Sequence, residues 1–494
     1  MLNKKKREVF FLKVRVLPKD PTNLSYAIRL WVIAKYVGQL CFISAVLSLV
    51  PLICSLTWHE YEMTIRYVIV VLIFVTIGLL TFKLPTPEKL QDNEVFSIIT
   101  SIFLLSSFVM IIPMMGAGLN IIDAWFEATS GLTTTGLSVT SVEGKMKTFI
   151  FARSFLQWYG GLGIVVLSLG LALQPSMVSK SLGKALTNKE NLASSMRLFA
   201  RRMLIIYGII SIVCLIVLWI FSPTFFDALV HMLSTVSTGG FSSSKNSLAG
   251  FSLPFQVAVA CFSFLSAISL PLYWFTEKKN FQNFFGNIQL LGLLVCILIL
   301  IALLYFFMPS HDIKSSFLSA ISAQTTTGFS TVSMVELEPV AKLVMIASMG
   351  IGGSVQSTSG GFKILRLLIL FRGLQLFFIK TSVSKHTVVF SQLGGNKLSV
   401  EERETCFFIF ILLVLTVFIS WAFFLFSGYD PLNSLFEVIS ATGTVGLSTG
   451  ITSSDLPMHL KSILCIDMFL GRLEFVTFLT LFIPRTLIGR RRHT

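Results

Sequence analysis

The chain has 494 residues, of which 54% are hydrophobic and only 13% are charged, and its formal net charge is +15. A soluble domain would carry about a quarter charged residues. The composition therefore excludes an ordinary soluble protein and indicates segments that cross a lipid bilayer. The basic residues lie in short segments between apolar runs, namely 4–7, 180–202, 366–403 and 485–492. This distribution is typical of the positive-inside rule and argues against nucleic acid as a partner.

A helix that crosses a bilayer needs about 20 mostly apolar residues. Ten such segments are predicted, the eighth of them interrupted: 31–55, 67–83, 95–115, 149–173, 203–221, 254–275, 288–308, 339–371, 406–427 and 461–484. With the N-terminus inside, the basic segments all fall on the cytoplasmic side. We therefore predict an all-α integral membrane protein with both termini in the cytoplasm.

Four short stretches between these segments are too short to cross a bilayer as helices, and each is predicted to be a re-entrant half-helix. They are 123–133, 225–235, 316–325 and 431–442. Each leads into a string of small residues that ends in glycine. The strings are Thr133-Thr134-Thr135-Gly136, Val236-Ser237-Thr238-Gly239, Thr325-Thr326-Thr327-Gly328 and Gly443-Thr444-Val445-Gly446. In this alignment Gly240 is an extra glycine, which puts strict equivalence of the four strings in doubt.

The pattern of span, half-helix, string and span therefore occurs four times, as an internal repeat. The predicted organisation begins with a cytoplasmic N-terminus (1–30) and an extra pair of transmembrane helices (31–90). Repeats 1 to 3 follow at 91–180, 195–280 and 285–375, and a cytoplasmic linker at 376–404 precedes repeat 4 and the basic C-terminus at 405–494.

Irregular backbone at membrane depth is tolerated only where it is buried in protein or lines a water-filled cavity. Filters for K⁺ are rings of backbone carbonyls that replace the water around the ion. Glycine permits the backbone angles that such a ring needs, and a preceding half-helix points its partly negative C-terminal end at a cation. One such string is usually only a turn. Four in equivalent places predict a selectivity filter around one central pore.

The chain resembles the Trk/Ktr superfamily of K⁺ transporters, which includes the plant HKT proteins, and its ten spans look most like the Trk branch. The strings carry this similarity, together with the stretch 153–163 (RSFLQWYGGLG), the glycine-rich stretches 349–353 and 357–363, and the stretch 468–474. The resemblance implies K⁺ uptake across the cytoplasmic (inner) membrane, with K⁺ as the transported ion and no cofactor in this chain. It also implies a homodimer and a cytosolic ring of nucleotide-binding (RCK-type) regulatory subunits. In the family that the chain resembles, a glycine in the first string goes with K⁺ selectivity, so the resemblance implies, through Gly136, a preference for K⁺ over Na⁺.

The interruption at 350–361 is rich in glycine, which disfavours a continuous helix. The resemblance implies a flexible intramembrane gating loop here, and the alternative is a kinked helix at a close helix contact. The gating residues implied are Gly350, Gly352, Gly353, Ser357, Thr358, Gly360, Gly361 and Arg472. Arg472 lies in an apolar span, where the resemblance implies an electrostatic barrier and the alternative is that Arg472 snorkels or makes a structural ion pair. Glu474 and Asp467 are near in sequence, but neither has good helical spacing for a pair with it.

Two other classes of function are disfavoured. A membrane enzyme would need a catalytic constellation, whereas the six histidines are scattered and no HExxH or nucleophile-elbow motif occurs. His231, inside the second half-helix, is expected to be a packing or hydrogen-bonding residue. A secondary solute transporter usually has inverted repeats, whereas these repeats share one orientation. A Na⁺-conducting or Na⁺/H⁺-coupled transporter of the same fold stays open.

Overall fold

The computed structural model describes residues 28–87, 90–171, 192–276, 284–308, 311–383 and 391–481. Most of the predicted cytoplasmic N-terminus, part of the basic segment 180–202 and the basic C-terminus lie outside the described residues. The helices, in chain order, are α1 (Leu30–Thr57), α2 (Tyr61–Phe82), α3 (Asp92–Val109), α4 (Ile111–Met114), α5 (Ile121–Leu132), α6 (Lys147–Leu171), α7 (Leu192–Phe221), α8 (Phe225–Val236), α9 (Leu253–Ala267), α10 (Leu270–Thr276), α11 (Ile288–Phe307), α12 (Ile313–Gln324), α13 (Pro339–Ile351), α14 (Ile364–Ser382), α15 (Val400–Phe426), α16 (Pro431–Thr442), α17 (Met458–Arg472) and α18 (Val476–Thr480).

One short antiparallel hairpin lies in the linker before repeat 4. Its strands are β1 (Gln392–Leu393) and β2 (Asn396–Lys397), and Gln392 pairs with Lys397. Gly394 and Gly395 between them both have positive φ, as a two-residue hairpin turn of the primed type requires.

Six helical segments among the described residues are long and apolar enough to cross a membrane. They are Leu30–Thr57, Tyr61–Phe82, Asn93–Ala117, Leu198–Phe221, Ile288–Phe307 and Val400–Phe426. Few side chains of the last three are buried, since the buried share of their most apolar windows is 28%, 28% and 17%, against 61% for Asn93–Ala117. The prediction of a multi-pass helical membrane protein is confirmed.

The N-terminal helix pair explains why Asn93–Ala117 is covered. Helices α1 and α2 pack against each other, and α1 packs on α3. At one end of the pair, Arg29 Nε lies 2.8 Å from Glu94 Oε1. At the other, the Glu60 carboxylate accepts hydrogen bonds from the backbone N–H groups of Lys147 and Thr148, at 2.8 and 2.9 Å. The pair is thus fastened to repeat 1 at both ends.

Four helices of 12 residues each (α5, α8, α12 and α16) lie where the half-helices are predicted. Each is about 18 Å long at 1.5 Å per residue, well short of a bilayer. Each begins after a residue whose side chain accepts a backbone N–H, as an N-cap does: Asn120, Thr224, Asp312 and Asp430. At Asp312, hydrogen bonds from the Ser315 hydroxyl and from the N–H groups of Lys314 and Ser315 lower the pKa of the carboxyl.

The half-helices are arranged in a cycle. The first long helix of each repeat packs on the half-helix of its own repeat: α3 on α5, α7 on α8, α11 on α12, and α15 on α16. The second packs on the half-helix of the next repeat: α6 on α8, α9 on α12, α13 on α16, and α17 on α5. Because the last of these contacts returns to repeat 1, the four half-helices surround a common centre.

Three of the second helices are broken. The predicted interruption within 339–371 is present, as the non-helical residues 352–363. The prediction of unbroken helices over 254–275 and 461–484 was wrong. The first of these breaks before α10, where Pro271 cannot continue a preceding helix. The second breaks between Arg472 and Val476, where Glu474 and Phe475 have φ of 57° and 35° and Glu474 forms an ion pair with Arg366.

Candidate functional site

The four half-helices end in the same way. Two residues after the last helical residue lies a threonine in the left-handed region, with φ of 54° at Thr134, 53° at Thr238, 56° at Thr326 and 50° at Thr444. The N–H of the following residue bonds to the carbonyl five residues earlier in every loop, at 2.7–3.0 Å, which is the Schellman pattern of a helix end. A β-branched residue in this conformation is strained. Such strain is concentrated at functional sites, so the four loops are the candidate site.

A glycine with positive φ lies two residues after each of these threonines. We name Gly136, Gly240, Gly328 and Gly446 the ring glycines; their φ values are 88°, 78°, 79° and 94°. A Cβ added to each would approach a carbonyl oxygen of the next loop. The distances are 2.1 Å from Gly136 to Gly239, 2.2 Å from Gly240 to Thr327, 1.9 Å from Gly328 to Val445, and 2.2 Å from Gly446 to Thr135. Because the fourth contact returns to the first loop, the four loops form a closed ring in which no side chain fits at these glycines.

The ring corrects the alignment of the second string by one residue. Gly240, and not Gly239, occupies the position of Gly136. Val236 is the last residue of α8, so the string itself is 237–240. The sequence contains a signal for this register, because Leu or Phe and then Ser follow every ring glycine, and a serine lies six residues before it. These four serines are Ser130, Ser234, Ser322 and Ser440.

The side chains of the strings are all buried. The hydroxyls of Thr133 and Thr135 bond to each other at 2.8 Å. In contrast, the hydroxyl oxygens of Thr134 and Thr444 have no hydrogen-bond partner among the described residues. A buried polar atom without a partner costs about 1–3 kcal/mol. Each of these two oxygens therefore has an unused capacity for a hydrogen bond in the site.

Buried glutamates bind the residues that follow the ring glycine in two of the loops. Glu437, nine residues before its ring glycine, accepts hydrogen bonds from the Ser448 hydroxyl and from the N–H of Thr449, both at 2.7 Å. Glu127 accepts the corresponding two bonds in the first loop, at 2.7 and 2.8 Å, and Arg153 Nε lies 3.1 Å from its other carboxylate oxygen. Sequence reasoning did not assign these glutamates to the site, although their shared spacing from the glycines is a signal for them.

Different residues occupy the same position in the other two loops. In repeat 2 it is His231, whose Nε2 lies 3.0 Å from the Ser242 hydroxyl and whose Nδ1 lies 2.8 Å from the Asp227 carbonyl oxygen. In repeat 3 it is Ser319, whose hydroxyl has no partner within the described ranges. The prediction that His231 is a hydrogen-bonding residue is consistent with these contacts.

The 352–363 loop lies against the ends of three half-helices. The Thr358 hydroxyl donates to the carbonyl of Val236 at 3.1 Å, and the Gly360 N–H donates to the Thr326 hydroxyl at 2.6 Å. A Cβ on Gly360 would lie 2.1 Å from the carbonyl oxygen of Gly443. The loop therefore touches the last residue of α8 in repeat 2 and the strings of repeats 3 and 4.

The same loop fills the break between α9 and α10. The N–H of Ser354 donates to the Ala267 carbonyl at 3.0 Å, and the N–H of Leu270 donates to the Gln356 carbonyl at 3.1 Å. The loop is thus held by hydrogen bonds to a second broken helix, and the alternative of a merely kinked helix was wrong. Most of the predicted gating residues lie in this loop, namely Gly352, Gly353, Ser357, Thr358, Gly360 and Gly361, while Gly350 is in the last turn of α13.

Arg472 is buried at the end of α17 and bonds to backbone carbonyls. Its Nη1 donates to Thr358 in the 352–363 loop at 2.7 Å, and its Nη2 donates to Gly160 in α6 at 3.3 Å. The guanidinium thereby joins the loop of repeat 3 to repeat 1. Together, the loop and Arg472 contact parts of all four repeats.

Neither carboxylate near Arg472 in sequence pairs with it. Glu474 pairs with Arg366, and Asp467 accepts a hydrogen bond from the Ser420 hydroxyl at 2.8 Å. Over the residues that the structure describes, Arg472 forms no ion pair, so its positive charge has no opposite charge in contact. The alternative of a structural ion pair for Arg472 is therefore not borne out there.

Comparison with known proteins gives a consistent result. The TrkH family model, described as a cation transport protein, matches residues 61–487. An uncharacterized cation transporter of Methanocaldococcus jannaschii is 28% identical over 451 residues, which are 90% of this chain and 94% of that protein. The Trk system potassium uptake protein TrkG of Escherichia coli K12 is 28% identical over 477 residues, or 91% and 97% of the two chains. The crystal structure of the potassium transporter TrkH from Vibrio parahaemolyticus matches with a TM-score of 0.79 and 25% identity over 92% of this chain and 99% of that one.

The fold and the ring of loops define a multi-pass membrane transport protein rather than an enzyme. Since the family model covers most of its length, the chain belongs to the TrkH family of cation transport proteins. The resemblance to the Trk/Ktr superfamily is confirmed.

Proposed function

We propose that this chain takes up K⁺ across the cytoplasmic (inner) membrane through one pore enclosed by the four loops. The closed cycle of ring-glycine contacts is the observation that supports this most, because loops that touch in the order 1, 2, 3, 4 and 1 surround a common axis. Relatives named as Trk system potassium uptake proteins support K⁺ as the ion.

In this proposal the ion exchanges its water for backbone carbonyls of the strings. The carbonyls are those of 133–136, 237–240, 325–328 and 443–446, with the second string in its corrected register. The C-terminal ends of the four half-helices add partial negative charge at the same place. Buried hydrogen bonds to Glu127 and Glu437 hold the chain after two of the strings, which supports loops whose positions are fixed by the protein.

The 352–363 loop and Arg472 form the gate in this proposal. Gly360 contacts the strings of repeats 3 and 4 at Thr326 and Gly443, and in this proposal the loop must move before a cation can leave the ring. Arg472, which has no ion-pair partner among the described residues, places a positive charge beside the same loop and bonds to Thr358 in it. Displacement of the loop would therefore also release one of the contacts that hold this charge in place.

Regulation and assembly follow from the family rather than from contacts within one chain. We propose a homodimer with both termini in the cytoplasm, and a cytosolic ring of RCK-type nucleotide-binding subunits docked on the face that includes α14 and the β1–β2 hairpin. The basic residues Lys363, Arg366 and Arg372 support a cytoplasmic position for this face, under the positive-inside rule.

The proposal is tested by ⁸⁶Rb⁺ uptake into liposomes that contain the purified protein, with protein-free liposomes as the control. Uptake should be blocked by external K⁺ and only weakly by Na⁺ or Li⁺. Equal competition by Na⁺ would favour the Na⁺-conducting alternative, and uptake driven by an imposed pH gradient would favour H⁺ coupling. Absence of uptake even with the regulatory subunit and its nucleotide present would refute the proposal.

A further inference from the structure

One side chain of repeat 1 reaches into the loop of repeat 2. Gln157, on α6, is fully buried. Its Nε2 donates a hydrogen bond to the carbonyl oxygen of Gly239 at 2.5 Å, and its Oε1 accepts one from the N–H of Phe241 at 3.2 Å. The first bond needs the amide nitrogen and the second needs the amide oxygen. The two bonds therefore hold the amide in one orientation and bracket the ring glycine of this loop.

Gly239 makes the room that Gln157 occupies. The corresponding residues in the other loops are Thr135, Thr327 and Val445, which all carry side chains. A Cβ added to Gly239 would lie 2.4 Å from the Gln157 Cδ and 2.6 Å from its Oε1. In the other three loops this volume is filled by the side chain of the loop residue itself. In the second loop it is filled by the Gln157 amide.

The carbonyl that Gln157 holds is one of the four in the ring. It is the oxygen that lies 2.1 Å from the position of a Cβ on Gly136. Among the described residues, no side chain donates a hydrogen bond to the corresponding carbonyls of Thr135, Thr327 or Val445. A carbonyl oxygen has two lone pairs, so the Gly239 oxygen can accept from Gln157 and still face a cation. The donor restricts the direction of this oxygen and polarises it.

We infer that Gln157 is a positioning residue that determines specificity, because it sets the Gly239 carbonyl at the distance and angle that the larger cation needs. The inference rests on the proposed function and assigns to repeat 1 a part in shaping the filter wall of repeat 2. It also accounts for a glycine pair in the second string alone, since a side chain at position 239 would displace the amide.

The test replaces Gln157 by methionine, which has a similar length and no amide. Purified variants are compared by the ratio of Na⁺ to K⁺ concentrations that half-inhibit ⁸⁶Rb⁺ uptake. Gln157→Met should lower this ratio about fivefold, which corresponds to the roughly 1 kcal/mol that one hydrogen bond contributes. The matched control is Gln256→Met. Gln256 Nε2 bonds to the carbonyls of Leu248 and Phe251, outside the strings, so its loss should leave the ratio within about twofold of the parent value.

The outcomes separate this inference from the proposed function. A lowered ratio in Gln157→Met and not in Gln256→Met supports the inference. An unchanged ratio in Gln157→Met, with a lowered ratio in Gly136→Ser, overturns the inference and leaves the pore intact. Unchanged ratios in Gln157→Met and in Gly136→Ser overturn the filter and the inference together. If Gln157→Met and Gln256→Met lower the ratio equally, the effect is a general loosening of the structure, and the inference is overturned. If Gln157→Met aggregates, Gln157→Asn, which keeps the amide on a shorter stem, is judged by the same criteria.

Discussion

Replacement of Gly136 by serine is the most informative single perturbation of the ring. The new Cβ would lie 2.1 Å from the carbonyl oxygen of Gly239, whereas real Cβ contacts essentially never fall below 3.0 Å, so the two groups must separate by about 0.9 Å. The φ of 88° at Gly136 adds strain of about 1–2 kcal/mol for a residue with a side chain. The substitution therefore strains the backbone and moves a carbonyl of the ring.

The expected size of the effect follows from the loss of one carbonyl contact with the ion. A polar contact with a charged group contributes about 1.5–3 kcal/mol, and 1.4 kcal/mol is a factor of ten. Gly136→Ser should therefore lower the preference for K⁺ over Na⁺ by about tenfold or more, measured as competition against ⁸⁶Rb⁺ uptake in liposomes.

Gly144→Ser is the matched control. Gly144 has a φ of 71°, and a Cβ added there meets no heavy atom within 4 Å, so the control carries the backbone strain without the carbonyl contact. Thermal unfolding in detergent should show a loss of stability in both variants, larger in Gly136→Ser because it adds the carbonyl contact to the backbone strain, and only Gly136→Ser should lose selectivity. Unchanged selectivity in folded Gly136→Ser, or an equal loss in Gly144→Ser, would refute the reasoning.

Three further predictions follow from the site. Gly240→Ala should impair ⁸⁶Rb⁺ uptake more than Gly239→Ala. The Cβ of the first variant would lie 2.2 Å from the backbone oxygen of Thr327, whereas the Cβ of the second would meet the side chain of Gln157. The reverse order would support the predicted alignment, in which Gly239 is equivalent to Gly136. Arg472→Ala should raise cation flux several-fold, since it removes a buried positive charge that contacts the gating loop at Thr358 and repels a passing cation, and an unchanged flux in a folded variant would count against the barrier. Glu437→Ala should lower the free energy of unfolding by about 3 kcal/mol or more, because it leaves several buried donors without an acceptor; thermal unfolding within error of the parent protein would contradict this.

The four half-helices and their strings were predictable because each combines a fixed length with a small-residue string in an equivalent place. The predicted register of the second string was wrong by one residue. Gly239 and Gly240 are adjacent, and either fits the pattern of a string that ends in glycine. Backbone angles decide between them, because only Gly240 has a positive φ. The recurring serine after Leu or Phe would have given the same answer from sequence.

Other features of the site depend on contacts between distant repeats. The partners of Arg472 are carbonyls more than 100 residues away, and no helical spacing could indicate them. The break of α17 has no proline or glycine at residues 473–475 and accompanies the ion pair of Glu474 with Arg366. In contrast, Pro271 was a readable signal for the break between α9 and α10.

The most direct test of the central claim is to locate the ion. Crystals of the purified protein grown in Rb⁺ would be measured at the rubidium absorption edge. We expect anomalous density on the axis between the carbonyl oxygens of Thr135, Gly239, Thr327 and Val445, and weaker density in Gly136→Ser. Anomalous density elsewhere in the protein, with none between these four oxygens, would contradict the claim that the four loops form the ion filter.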